Sequence, residues 1–267
     1  MPVVGETGAF GPLLDADEPP PMLEIGRERS SAFVIAVDHA SARIPRRLGR
    51  LGLPLAELER HIAWDIGALE VARRIAADLD APLIATSYSR LVIDCNRDPR
   101  VASSIPTVAE TIEIPGNIGL SDEEVVARRE QIFQPYHARL RELLDARERS
   151  GQPTILATQH TMTDVFKGIR RAMHAAVLYN RDRRFASLVL EALRSERGLV
   201  VGDNEPYFVS DETDYTIPQH GEARGLLHVE IEIRQDLVGH KAGQAEWAVR
   251  IARALRFAQH KLTAARR

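Results

Sequence analysis

Short apolar runs alternate along the chain with stretches whose apolar residues recur at helical spacing, which predicts an α/β fold. The run 32–37 reads as a buried strand that delivers Asp38 and His39 at its carboxyl end. Leu69, Ala72, Ile75, Ala76 and Leu79 share one face of a helix over about 65–80. Two short strands follow, at 82–86 and 91–94. Residues 97–120 lack helical period and carry Pro106, Pro115, Gly116 and Gly119, so they predict a long loop, of the kind that is either functional or disordered. Ser121 and Glu124 form a capping-box pattern that opens a helix to about Arg149, kinked at Pro135. Further strands are expected at 154–158, ending at Gln159-His160, and at 175–179 and 226–233. Helices are expected at 183–197 and 242–259, with loops at 202–207 and 214–225. Strands that alternate with helices in this way imply a layered sandwich with a largely parallel sheet. Residues 1–30, polar and marked by Pro19-Pro20-Pro21, read as an N-terminal arm before a single domain over 31–267.

Composition narrows the function classes. Hydrophobic residues make up 44% of the 267, enough for a sizeable core, but aromatics only 5%, so Ala, Leu, Ile and Val must fill it. A net charge of −3 and few stacking rings argue against a nucleic-acid partner. No apolar run approaches a membrane span, and no basic-then-apolar leader opens the chain. The lone Cys95 excludes an internal disulfide or a Cys-based zinc site and reads as a buried structural thiol. A soluble protein of a reducing, cytoplasmic compartment is expected. The basic residues are three lysines and 32 arginines; most of these arginines fall on helix faces as solvated cations, whereas Arg90 and Arg97 flank a strand end.

Ligands of open α/β sheets bind outside the carboxyl ends of the strands, so the polar residues there carry the candidate chemistry. They are Asp38 and His39, the cluster Asp94 to Arg97, His160, Asn204 and Glu205, and the run 228–235. A lone strand-end histidine is more often a hydrogen-bonding loop residue than a ligand, but His39 and His160 each end an apolar strand. Two histidines and several carboxylates on one rim suit a mononuclear site for a divalent metal, zinc by preference. Asp65 starts a helix, where a carboxylate also serves as a simple cap. Glu230 and Glu232 share a strand face and are costly if buried unpaired, so they either face a polar cleft or pair with cations such as Arg234. Arg90 and Arg97 offer planar forks for an anionic substrate, or else pair with Asp94. The remaining histidines read as structural, with His220 in a Gly-flanked loop kept as a weak candidate. No phosphate-binding loop, dinucleotide fingerprint or Gly-x-Ser-x-Gly elbow occurs.

At these same residues the sequence resembles the N-formylglutamate amidohydrolase family. The matching segments are 38–45, 61–68, 88–97, 114–117, 158–161, 202–207 and 228–235, in order over about residues 30–258. The resemblance implies a three-layer α/β/α sandwich with a mixed, largely parallel sheet, similar to the zinc carboxypeptidases. It implies that His39 and His160 are metal ligands. Because Ala42 stands where the carboxypeptidase pattern has Glu, the third ligand must come from elsewhere: Asp65, with Asp38 as substitute. The expected reaction is hydrolysis of N-formyl-L-glutamate, or a related N-acyl acidic amino acid, to formate and glutamate, as in histidine degradation. Glu232 is the expected general base, with Glu230 as runner-up. Arg90, Asn96, Arg97, Asn204 and His220 form the expected substrate-binding set, and Asp94 braces an arginine. Two other readings stay open: a zinc hydrolase of a different N-acyl amino acid or peptide, and a non-catalytic small-molecule binder on the same fold.

Overall fold

A computed structural model describes residues 11–264. Seven strands form one sheet: β1 (Met22–Ile25), β2 (Phe33–Val37), β3 (Leu83–Thr86), β4 (Ile155–Met162), β5 (Ala175–Leu178), β6 (Val201–Asp203) and β7 (Leu227–Arg234). Their spatial order is β1-β3-β2-β4-β7-β5-β6. The contiguous β3, β2, β4 and β7 run parallel, while β1 and the β5–β6 pair run against their neighbours. The long helices are α1 (Ala68–Asp78), α2 (Asp122–Arg128), α3 (Gln134–Arg149), α4 (Arg184–Arg194) and α5 (Lys241–Ala264).

Alternation along the strands sends successive side chains to opposite faces. Phe33, Ile35, Val37, Leu83, Ile155, Val229, Ile231 and Ile233 pack against α1, α4 and α5. Val34, Ala36, Ile84, Leu156 and Leu178 face the other way, against α3 and the chain around 88–95 and 105–114. The result is the three-layer sandwich with a mixed, mostly parallel sheet. Ser121 caps α2 with the reciprocal Glu124 bond of a capping box. Between α2 and α3 the chain makes one π-helical turn over Arg129–Phe133, so the break precedes Pro135.

Four local expectations change. The loop expected at 202–207 begins later, because Gly202 and Asp203 pair in β6. The chain at 22–25, placed in an arm by its prolines, is the antiparallel edge strand beside β3; residues 1–10 of that arm lie outside the described residues. The segment 91–94 is no strand. Its backbone bonds to loops, with the Asp94 N–H on the Ser104 carbonyl at 2.7 Å and the Val92 N–H on the Ser89 carbonyl at 3.0 Å. An unbroken apolar run reports burial and not ladder pairing, and Leu91, Val92 and Ile93 are indeed buried. The segment 97–120 is built of short helical turns and a small hairpin (Val108–Ala109 with Ile112–Glu113). It is pinned by the buried Arg128, which donates to the Val92 and Gly116 carbonyls and to Asn117 Oδ1.

Candidate active site

The site forms where β2, β4 and β7 end side by side. Parallel register sets Glu230 opposite Thr158 and Glu232 opposite His160, and Ala36 opposite Thr158 on the other flank of β4. His160 therefore lies inside β4, with Asp38 and His39 beyond the end of β2 on one side and Glu232 on the other. Asp65 is brought in by the turn before α1, its N–H on the His39 carbonyl at 2.9 Å. Gly67 makes that turn possible: its φ is +81°, and a Cβ there would lie 2.4 Å from the Val238 carbonyl oxygen.

His39, Asp65 and His160 are buried, and their ligand atoms all lie within 4.8 Å of one another. His39 Nδ1 is 3.6 Å and His160 Nδ1 is 3.0 Å from the same oxygen, Asp65 Oδ2. The opposite ring nitrogens face other carboxylates: His39 Nε2 bonds Asp94 Oδ1 at 2.7 Å, and His160 Nε2 lies 3.3 Å from Asp38 Oδ2. For His39 this is the arrangement that aims a metal-binding histidine, one nitrogen held from behind and the other turned inward; His160 instead bonds Asp65 through Nδ1 and leaves Nε2 beside Asp38 without a hydrogen bond. Asp38 is itself fixed by hydroxyl bonds from Tyr136 and Thr216, each 2.7 Å. His39 Nδ1 is buried without a hydrogen-bond partner, and two imidazoles with one carboxylate are a donor set that fits a divalent metal with an open position. Asp65 is the carboxylate that groups with the two histidines, and Asp38 lies beside His160 Nε2.

Burial and charge oppose one another here. Burial pushes Asp65 and Asp94 up, but their cationic neighbours outweigh it: His39 and His160 hold Asp65 far below the usual carboxylate range, and Arg90, His39 and Arg97 do the same for Asp94. Glu230 and Glu232 go the other way. Burial first, then neighbouring carboxylates, raise Glu230 to about 8 and Glu232 to about 7, against the pull of His160. Tyr207 donates to Glu232 Oε1 at 2.8 Å, while Glu232 Oε2 is buried without a partner.

These groups line a cleft of about 640 Å³. Arg90 and Arg97 reach it, but both are engaged. Arg90 bonds Asp94 at 2.7 Å and lies 3.7 Å from Asp65; Arg97 lies 3.6 Å from Asp94 and donates to the Thr213 carbonyl. Asn96 also lines the cleft, but its amide is committed to Asp214 and to the Tyr215 and Thr216 N–H groups.

Two members of the expected substrate set do not reach the cleft. Asn204 ends β6, which runs with β5 and therefore opposite to β7, so the carboxyl-end rule points it away from the site. It is a turn residue with φ +52° whose Oδ1 accepts from the Tyr179 N–H. His220 sits on a π-helical turn that directs it into the interior, where it stacks on His137, its Nε2 3.0 Å from His137 Nδ1. Conversely, the cleft is lined by His61, which reads from sequence as structural, and by Phe166, Arg171, Tyr207 and Asp214, for which the sequence alone suggests no role. Tyr207 stood in a matching segment, and only its reach to Glu232 reveals a use for it.

The model of the N-formylglutamate amidohydrolase family matches residues 31–238. The chain belongs to the N-formylglutamate amidohydrolase family. It is accordingly a hydrolase acting on amide bonds. A gene product of Agrobacterium tumefaciens, known from its crystal structure, is 33% identical, with a TM-score of 0.91 over 94% of this chain and 99% of that one. The N-formylglutamate amidohydrolase of Ralstonia eutropha shares the fold at 22% identity, with a TM-score of 0.59 over 90% of this chain and 97% of its own. No curated protein gives a significant sequence match. Among the described residues, no helix is long and apolar enough to cross a membrane.

Proposed function

We propose that the protein is a zinc-dependent amidohydrolase that cleaves the N-formyl group from an acidic amino acid such as N-formyl-L-glutamate, giving formate and glutamate. The observation that carries this reading is one cleft holding both the His39–Asp65–His160 cluster and two buried glutamates whose proton affinities lie near neutrality. His39 and His160 would hold the metal through Nδ1 and Asp65 through a carboxylate oxygen, and a divalent cation bound there supplies Lewis acidity toward a carbonyl and toward water.

The chain's own groups do the rest. Glu232 takes a proton from the attacking water and delivers it to the amine nitrogen as the C–N bond breaks. Tyr207 keeps that carboxylate aimed, and Glu230 is the second candidate for the same duty. Arg97 and Arg90 meet the carboxylate nearest the scissile bond, and Asp94 keeps both arginines and His39 in register. Such a substrate is a small dianion, and the activity would suit the deformylating step of an amino-acid breakdown route.

The test is formate release from N-formyl-L-glutamate by purified protein, with and without added zinc. No release under either condition overturns the substrate assignment. Metal content tests the ligands separately: His39→Ala and His160→Ala proteins should each lose bound metal, and full retention overturns the ligand set.

A further inference from the structure

An acidic substrate brings two carboxylates into a cleft already rich in carboxylates, so the free cations of that cleft matter. Besides the two histidines of the metal cluster, four basic side chains line it: His61, Arg90, Arg97 and Arg171. Arg90 and Arg97 are committed to Asp94, and Arg90 also neighbours Asp65. His61 lies 3.5 Å from Glu110, and burial lowers its proton affinity. Arg171 differs. Its side chain donates to the Thr163 carbonyl at 3.2 Å; among the described residues it forms no ion pair, though its charge is felt at Glu232.

Two aromatic rings flank Arg171 as well. Its guanidinium carbon lies 5.4 Å from the Phe166 ring centre and 5.3 Å from that of Tyr207. Stacking uses the flat face of a guanidinium and leaves its N–H edge available for a carboxylate in the same plane. Arg171 also closes the base of the hairpin Val165–Phe166 and Ile169–Arg170, its own N–H bonded to the Asp164 carbonyl. Tyr207 is the residue that bonds Glu232, so Arg171 stands on the glutamate side of the cleft mouth.

The length of the substrate itself sets its two carboxylates apart. The α-carboxylate adjoins the scissile nitrogen and must sit beside the His39–Asp65–His160 cluster, within reach of Arg97 and Arg90. The side-chain carboxylate of a glutamate lies three C–C bonds beyond Cα, roughly 4 Å farther out. We propose that Arg171 binds this distal carboxylate and is the residue that selects an acidic side chain, with Phe166 and Tyr207 flanking the intervening methylenes. The proposal rests on the amidohydrolase reading above.

The experiment compares N-formyl-L-glutamate with N-formyl-L-glutamine, which differ only in the distal charge, on the zinc-loaded wild-type, Arg171→Gln and Arg171→Lys proteins. Arg171→Gln should lower the glutamate-over-glutamine preference in kcat/KM by about 30-fold, expressed mainly in KM, and Arg171→Lys should fall between because it keeps charge without the fork. An unchanged preference, or a loss equal for both substrates, overturns the assignment. Calorimetric binding of L-glutamate and L-glutamine gives a reading independent of turnover: Arg171→Gln should weaken glutamate about 10-fold more than glutamine. If both amino acids weaken equally, or neither does, the anchor is refuted. If wild-type protein releases no formate yet shows this binding difference, the deformylase reading fails and the anchor stands.

Discussion

At Glu232, burial and a tyrosine hydroxyl pull the proton affinity in opposite directions. Burial raises it, the charge of His160 and then the Tyr207 bond draw it down, and the balance lies at about 7. A general base works best when its pKa lies near the operating pH, so this balance has a kinetic consequence. Glu232→Gln keeps the shape and removes the basic oxygen; kcat should fall by about 10²-fold or more with metal content unchanged. If Glu230→Gln gives the larger loss instead, the base is Glu230. Tyr207→Phe removes a bond that favours the carboxylate form, so the Glu232 pKa should rise. The base must be ionised to act, and the rising limb of the pH profile should therefore move to higher pH. A limb that stays in place or moves down argues that the hydroxyl does not tune this group.

Among the elements, the segment 97–120 depends most on one side chain. Arg128 is 1% exposed and its proton affinity is lowered to about 10 by burial, yet it spends its charge on two backbone carbonyls and one amide oxygen. Those acceptors belong to the turn at 91–94 and to the loop at 116–117, so α2, the loop and the arginine-bearing segment near Asp94 are tied at one point. Arg128→Met should cost at least about 2 kcal/mol in urea unfolding, because buried acceptors lose their donor. A neutral or stabilising result would mean that the loop is held by its turns alone. The π-helical turn that follows α2 keeps this arginine inward while the chain accommodates Pro135, which has no N–H to give.

For the molecule as a whole, pH dependence of stability follows from buried groups of opposite sense. His137 and His220 are pushed down to about 4 and about 3, by burial first and, for His220, by the charge of His137 next. Between about pH 6.5, where unfolded histidine takes up a proton, and about pH 4, the unfolded chain binds protons that the folded one refuses. Stability from this pair is therefore complete above the unfolded pKa and is lost as pH falls through that window. Glu230 and Glu232 act oppositely, since the fold holds their protons above the pH at which an unfolded glutamate has released them. The histidine contribution can be isolated by difference. His137→Gln should shrink the stability lost between about pH 7.5 and about pH 5 by an amount on the order of a kcal/mol or more. An undiminished loss would place the acid sensitivity in other groups.

Much of this protein was written in its local pattern. The apolar runs that became β2, β3, β4, β5 and β7, the faces of α1, α4 and α5, and the Ser121 cap are statements about burial within a few residues, which periodicity and capping chemistry encode directly. His39, His160 and the paired glutamates stand out for the same reason, as polar residues at or near the ends of apolar strands; Asp65, at a helix start, reads equally as a cap and enters only with the family resemblance. Their partnerships were not legible. His39 meets Asp94 across 55 residues and His160 meets Asp65 across 95, and which ring nitrogen each spends depends on those meetings. Strand direction was equally a matter of the whole sheet: β5 and β6 run against β7, which carried Asn204 away from the rim that the run of parallel strands made. A π-helical turn carried His220 into the core, and a hairpin carried Arg171 to the cleft mouth. The sequence by itself determined which segments are buried and which residue types gather at strand ends, because both are local costs of solvation and backbone geometry. Only the tertiary structure decided which of those residues meet, because contact between distant segments depends on pairing direction and packing that no local window contains.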